Sequence, residues 1–235
     1  SSIKELAEKN EPISCCIIGF YYFNGFYVSE DKAEAVKWYK KSAKQGYSQS
    51  QYCLGHCYEK GTGVKEDKAE AVKWYKKAAE QGYANAQNNL GYCYDKGEGV
   101  KEDKTEAVRW YAKAAGQGKF EAQYNLALCY GNGWGVKEDK TEAVKWYRMS
   151  AEQGYAGAQF NLGNCYKYGC GVKENKVEAV KWYKKAAEQG NIDAQCNLGN
   201  CYVKGDGVKE DKTEAVKWYK KAAEQGDVNA QYKLA

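Results

Sequence analysis

The chain has 235 residues, 43% hydrophobic and 29% charged, with a single histidine (His56), a single proline (Pro12) and a formal net charge of +5. One histidine excludes a His-based zinc cluster and argues against a histidine-dependent triad, and so small a charge does not by itself argue for nucleic acid. Seven Trp and twenty-two Tyr exclude a disordered or collagenous chain, no run approaches the ~18 apolar residues that span a bilayer, and the opening SSIKELAEKNEP is no secretory signal.

Taken from the N-terminus, residues 3–10 match the tail of a repeating unit. Ser14, Ile18, Gly19, Tyr22, Gly25 and Val28 match its second half, so 1–28 reads as a partial unit. Tryptophan then recurs at Trp38, Trp74, Trp110, Trp146, Trp182 and Trp218, each 36 residues after the last. That period cuts the chain into five complete units, 29–64, 65–100, 101–136, 137–172 and 173–208, and a truncated one, 209–235. The whole of 1–235 is therefore expected to be one array. Self-similarity at this period predicts a solenoid, in which each unit buries its apolar face against its neighbours. Terminal units of such arrays usually carry polar caps and none is visible, so the chain reads as a segment of a longer protein. With no targeting signal, the expected location is cytoplasmic.

Each unit encodes two helices. The first opens with Asp-Lys-x-Glu, as at Asp67 and Glu70, an acidic N-cap with glutamate at the third helical position. Ala71, Trp74, Ala78 and Ala79 follow at helical spacing as one apolar stripe, and Gly82 stands where a left-handed residue ends a helix. The second helix carries Ala86, Leu90, Cys93 and Tyr94 on one face and ends at Gly97. A glycine inside a helix costs ~1 kcal/mol relative to alanine. Its return at Gly55, Gly91, Gly163 and Gly199 therefore predicts close approach of a bulky Trp or Tyr from a neighbouring helix. The predicted fold is all-α, an array of antiparallel helix pairs with short connections.

The series Ala86, Leu90, Gly91, Tyr94, Gly97, Gly99, Val100, followed by Asp103, Ala107, Trp110, Tyr111, Ala114, Ala115 and Gly118, resembles the Sel1-like repeat, a relative of the tetratricopeptide repeat. The resemblance covers essentially the whole chain. It implies a right-handed α-solenoid superhelix whose concave side receives peptides or protein surfaces. Members of that family act as adaptors in complex assembly, in degradation at the endoplasmic reticulum, in chitin-synthase activation and in bacterial contact with host cells. One cysteine-rich, secreted bacterial branch is described as binding or hydrolysing penicillins, and it pairs cysteines between the two helices of each repeat.

Ten cysteines test that last comparison. Cys57, Cys93, Cys129, Cys165 and Cys201 hold one slot in successive units, on the face shared with Leu and Tyr, and read as small buried hydrophobes. Equivalent atoms of neighbouring units lie roughly 10 Å apart, beyond the ~4.4–6.8 Å that a disulfide requires. No cysteine lies on the tryptophan helices, so the branch's ladder is absent and a reducing compartment fits better, with an occasional bridge such as Cys165 to Cys170 left open. Cys53, His56 and Cys57 form the one metal-like cluster. It lacks a fourth zinc ligand, and residues so close on one helix rarely aim at each other for catalysis, so neither a cofactor, a metal nor a catalytic residue is assigned. The G-x-G loops, such as Gly97 and Gly99, precede Glu-Asp rather than a G-K-[ST], so they read as turns and not phosphate cradles. The lysines at 37, 40 and 41 and their repeats are expected opposite the Trp stripe, a solvated face with Glu34-to-Lys37 pairs rather than a nucleic-acid track.

The slots that vary over this constant frame carry the functional expectation. On the side of the second helix opposite the buried Ala86, Leu90 and Cys93, one slot reads Tyr52, Asn88, Tyr124, Phe160, Cys196, and the slot four residues on reads His56, Tyr92, Leu128, Asn164, Asn200. These side chains either form an interface stripe or pack between adjacent units. Between them runs a ladder of Asn89, Asn125, Asn161 and Asn197, whose amides either bond an extended peptide backbone or tie down a neighbouring loop. Departures from the pattern cluster between 112 and 149, among them Ala112, Gly116, Ala127, Gly131 and Met149. Trp134, alone in a loop slot filled elsewhere by Thr62, Glu98, Cys170 or Asp206, is either an interface anchor or drift. The expected function is a non-enzymatic scaffold that binds a protein or extended peptide on its concave face. No nucleic acid, membrane insertion or small-molecule substrate is expected. The competing readings are a penicillin-binding or penicillin-hydrolysing enzyme and a purely architectural spacer.

Overall fold

A computed structural model describes Glu5, Glu8 and residues 10–234 of the chain. Most of 3–10, which the sequence matches to the tail of a unit, lies outside the described residues. Between Pro12 and Leu234 there are thirteen helices: α1 Pro12–Asn24, α2 Lys32–Lys44, α3 Ser48–Lys60, α4 Lys68–Glu80, α5 Ala84–Lys96, α6 Lys104–Gly116, α7 Phe120–Asn132, α8 Lys140–Glu152, α9 Ala156–Tyr168, α10 Lys176–Glu188, α11 Ile192–Lys204, α12 Lys212–Glu224 and α13 Val228–Leu234. Among the described residues there is no strand, and no helix is long and apolar enough to cross a membrane. The even-numbered helices carry the tryptophans, and the odd-numbered ones, called the glycine helices, carry a mid-helix glycine in α1, α3, α5, α9 and α11.

The helix boundaries follow from local chemistry. Every tryptophan helix starts at an Asp or Asn whose side chain accepts the backbone N–H of a glutamate three residues on, as Asp67 does from Glu70 and Asn175 from Glu178. The cap satisfies an orphan donor and the glutamate favours the positive end of the helix dipole. The glycine helices end at left-handed glycines, such as Gly97 at φ 67°, whose N–H returns to the Cys93 carbonyl.

The chain forms two compact units, the first ending at Lys119 and the second starting at Phe120. Within each, consecutive helices pack as antiparallel neighbours around leucines that are at most 1% exposed: Leu54 and Leu90 in the first, Leu126, Leu162 and Leu198 in the second. The mid-helix glycines have the expected cause, and the bulky neighbour is tyrosine. A Cβ on Gly55 would stand 2.7 Å from the ring of Tyr75, and one on Gly163 would stand 2.7 Å from that of Tyr183. Ala127 holds this slot in α7, facing the core that contains Tyr147.

Two framework features escaped the sequence. A buried glutamine stands in each of α3, α5, α7, α9 and α11, and in α3, α5, α9 and α11 it donates to an alanine carbonyl eight residues earlier, as Gln87 does to Ala79 at 3.0 Å and Gln159 to Ala151 at 3.1 Å. Its Oε1 accepts from a second glutamine 30 residues on: Gln81 to Gln51, Gln117 to Gln87, Gln153 to Gln123, Gln189 to Gln159 and Gln225 to Gln195, at 2.7–2.9 Å. The second feature corrects the placing of the lysines. Lys37 and its equivalents do pair outward with glutamate, at 2.8 Å from Glu34. Lys41, Lys77, Lys113, Lys185 and Lys221 instead lie over the indole rings of the tryptophans one turn earlier, 4.1–4.9 Å from the centroids. A residue three positions on shares the tryptophan's face, so its aliphatic stem covers the ring while the ammonium stays in water. Met149 stands at this position beside Trp146 and is exposed.

Candidate functional site

The varying slots lie along the glycine helices, where all but the exposed Tyr92 are half-buried rather than free. Tyr52 packs on Tyr75 and Tyr83 with centroids 5.8 and 5.3 Å apart. Tyr124 packs on Tyr147 and Tyr155 at 6.0 and 5.0 Å, and Phe160 on Tyr183 at 6.0 Å. Such pairs contribute about 0.5–1.5 kcal/mol beyond their buried area, so these rings stiffen the junction between repeats while leaving an edge in solvent. The asparagine ladder joins them: Asn89 lies within hydrogen-bonding reach of Tyr52 and Tyr75, and Asn161 of Tyr124 and Tyr147. In the next slot, Asn164 accepts from the Tyr183 hydroxyl at 2.6 Å and Asn200 from Tyr219 at 2.9 Å. His56 and Leu128 are half-buried there, and Tyr92 is exposed. Asn125 and Asn197 occupy the half-buried ladder positions of α7 and α11, and Trp134 is 44% exposed in the loop after α7.

Recesses open beside these residues, between consecutive glycine helices of the same unit. Between α1 and α3, a cavity of about 260 Å³ is lined by Phe20, Phe23, Asn24, Tyr39, Tyr52, Cys53, His56 and Cys57. Between α7 and α9, one of about 190 Å³ is lined by Gly131, Asn132, Lys140, Tyr147, Asn161, Asn164, Cys165 and Cys170, with Ala143 at its floor. The two occupy the same place in the repeat pattern. Phe23 corresponds to Gly131, Cys53 to Asn161 and His56 to Asn164, so one recess is aromatic and the other is lined with amides, a phenol and an ammonium. A third, of about 400 Å³ between α11 and α13, brings Asn197 and Asn200 beside Phe160, Cys196, Asp193 and Asp227. The sequence pointed to Tyr52, His56, Asn161, Asn164, Phe160 and Asn197 in these recesses. It missed Tyr39, Lys140, Tyr147 and Cys165, which belong to the constant frame and gain a role only where a varying neighbour is small.

All ten cysteines are free thiols. Cys57, Cys93, Cys129 and Cys201 are buried as expected, and Cys165 is half-buried because Gly131 opens the space beside it. Burial pushes the thiols of Cys57 and Cys165 up to about 11, and those of Cys53 and Cys93 up to about 12. Since the thiolate is the reactive form, iodoacetamide at pH 8 is expected to modify the loop residue Cys170 first and these four only after unfolding. Peptide mass mapping against time would check the order, and early alkylation of Cys93 would contradict it. Among the described residues, no group of three or more His, Cys, Asp or Glu is placed to hold a metal.

Comparison with known proteins agrees with this architecture. Six successive matches to the Sel1 repeat cover 12–47, 48–83, 84–119, 120–155, 156–191 and 192–227, each starting on a glycine helix. Among solved structures, the chain is similar to a protective antigen present in uropathogenic Escherichia coli strains that displays an SLR fold, with TM-score 0.96 and 39% identity over 100% of this chain and 51% of that one. It thus spans about half the length of that antigen. It is also similar to a Sel1 repeat protein from Oxalobacter formigenes, with TM-score 0.82 and 38% identity over 91% of this chain and 85% of that one. No curated protein matches the sequence. Helix pairs repeating every 36 residues, tyrosines seated on mid-helix glycines and six consecutive family matches have one reading: the chain belongs to the Sel1 repeat family.

Proposed function

We propose that the chain is a non-enzymatic adaptor that binds an extended segment of a protein partner along the glycine helices of its units. One observation carries this reading: recesses at equivalent places in the repeat differ in chemistry, with Phe20, Phe23, Cys53 and His56 in one and Gly131, Lys140, Asn161 and Asn164 in the other, over a shared frame that includes Tyr39 and Tyr147. An unchanging frame with changing recesses suits recognition of a heterogeneous chain. The asparagines supply donors and acceptors for the peptide backbone. The half-buried Tyr52, Tyr124 and Phe160 offer edges whose ordering entropy is already spent.

The test is a crosslinking pull-down from source-cell lysate with mapping of the crosslinked residues. Wild type is compared with an Asn125→Ala, Phe160→Ala, Asn161→Ala variant that circular dichroism shows to be folded. The expected result is a partner crosslinked beside these residues and lost from the folded variant. A partner held equally by both overturns the reading, and its loss from Trp134→Ala alone would move recognition to the loop after α7. The stacking of Tyr52, Tyr124 and Phe160 on their neighbours also favours an architectural spacer, which predicts that no partner distinguishes the two proteins.

A further inference from the structure

Lysine opens every tryptophan helix, and at Lys68, Lys104 and Lys176 its charge is answered by a carboxylate from outside the turn that leads into the helix. A glutamate two residues earlier faces it in several repeats, as Glu30 faces Lys32 at 3.3 Å and Glu102 faces Lys104 at 3.2 Å. A second carboxylate comes from one of two other places. The last turn of the preceding glycine helix gives Asp95 to Lys104 at 3.1 Å. The loop of the following repeat gives Glu98 to Lys68 and Asp206 to Lys176, each at 2.9 Å.

At Lys140, as at Lys32 with Phe23 and Thr62, neither of those places holds a carboxylate. Gly131 stands where Asp95 would, and Cys170 where Glu98 or Asp206 would, leaving only Glu138 at 3.3 Å, itself half in solvent. The space they vacate is the recess between α7 and α9, and no carboxylate lines it. Packing does not force the vacancy, because a Cβ on Gly131 would meet nothing nearer than Ala143 at 3.6 Å. The other side of the recess presents donors. Asn164 Oδ1 accepts from the Tyr183 hydroxyl, which leaves the Asn164 N–H₂ turned away from that bond. Tyr147 and Asn161 complete the lining.

We propose that this recess receives the carboxylate of a glutamate or aspartate side chain of the bound segment, held by the Lys140 ammonium and the Asn164 amide. The guest supplies the charge that Asp95, Glu98 and Asp206 supply from within the chain in other repeats. The inference rests on the glycine helices being the peptide-binding face, and it adds which residue type one of their recesses selects.

The test selects binders from a display library of random dodecamers with the whole chain. Each selected peptide is then made with an amidated C-terminus and measured by fluorescence anisotropy beside its Glu→Gln or Asp→Asn isostere. The receptors are wild type, Lys140→Gln and Gly131→Asp, all first checked by circular dichroism and thermal melting. Gly131→Asp rebuilds the pair seen between Asp95 and Lys104, so it should occupy the recess from within. On wild type the isostere is expected to bind at least about tenfold more weakly, the size of one charge-assisted hydrogen bond. On either variant, acid and isostere should bind within about twofold of each other. Peptides with no acid dependence, a preference that survives both variants, or binding that demands a free terminal carboxylate would each overturn this inference and leave the face intact. Failure of every peptide to bind would overturn the peptide-binding face and this inference with it.

Discussion

Replacing Gly99 with alanine is expected to destabilise the first unit by about 3–5 kcal/mol, the range reserved for backbone collisions and strained dihedrals. Gly99 sits at φ +70°, where a side chain costs about 1–2 kcal/mol by itself. The larger cost is positional. A Cβ there would overlap the Lys68 carbonyl and stand 2.9 Å from the Ala69 amide nitrogen, at the start of α4. Those are backbone atoms in the first turn of a capped helix, and they cannot rotate away. The control is Gly82→Ala, at φ +87° with nothing within 4 Å of a new Cβ, which should lose only the dihedral penalty. Urea unfolding followed by circular dichroism separates the two. Equal losses would show that the loop, rather than the seat on α4, sets the requirement for glycine.

The second large effect is at Tyr75, which has no exposed surface. Tyr75→Ala is expected to cost about 3–5 kcal/mol through the cavity it leaves and the loss of its hydroxyl bond to Glu59. Gly55 makes this more than a routine core truncation. With the tyrosine present, Gly55→Ala forces a Cβ to 2.7 Å from the ring and should destabilise by about 1–3 kcal/mol. Without it, the same change should be neutral or favourable, since alanine is the better helix former by ~1 kcal/mol. A double-mutant cycle is therefore expected to return a coupling above about 1 kcal/mol. Additive effects would mean that ring and glycine do not define one another.

The features legible in the sequence are those that recur in every unit and act locally. Asp67 with Glu70, Gly82 and Gly97 mark helix ends by rules that need no tertiary contact. The fixed spacing of tryptophan set the repeat, and Gly91 announced a close approach although not which aromatic would make it. The buried glutamines were missed for a physical reason: a polar residue inside a helix reads as solvent-facing until its partner 30 residues away is seen. Their recurrence at Gln51, Gln87, Gln123, Gln159 and Gln195 was the available signal. Lys77 was placed opposite Trp74 because its charge suggested solvent, whereas its spacing put it one turn along the same face. The recess between α7 and α9 was half legible. Asn161 and Asn164 stood out as varying slots, but Lys140 and Tyr147 look the same as in every other repeat. What distinguishes them is the smallness of Gly131, and sequence records that change only as a missing side chain.

The glutamine pairs have a direction. In each, the later residue donates and the earlier accepts, while Gln51, Gln87, Gln159 and Gln195 spend their own N–H on a backbone carbonyl. Removing or adding one whole cassette of 36 residues within a unit leaves each interior donor facing an acceptor. Any other length strands a buried amide, at about 1–3 kcal/mol. Gene duplication in whole cassettes is thus the mode of growth that this hydrogen-bond polarity tolerates. A newly copied cassette arrives with its frame already satisfied, and its recess is free to diverge toward a different guest.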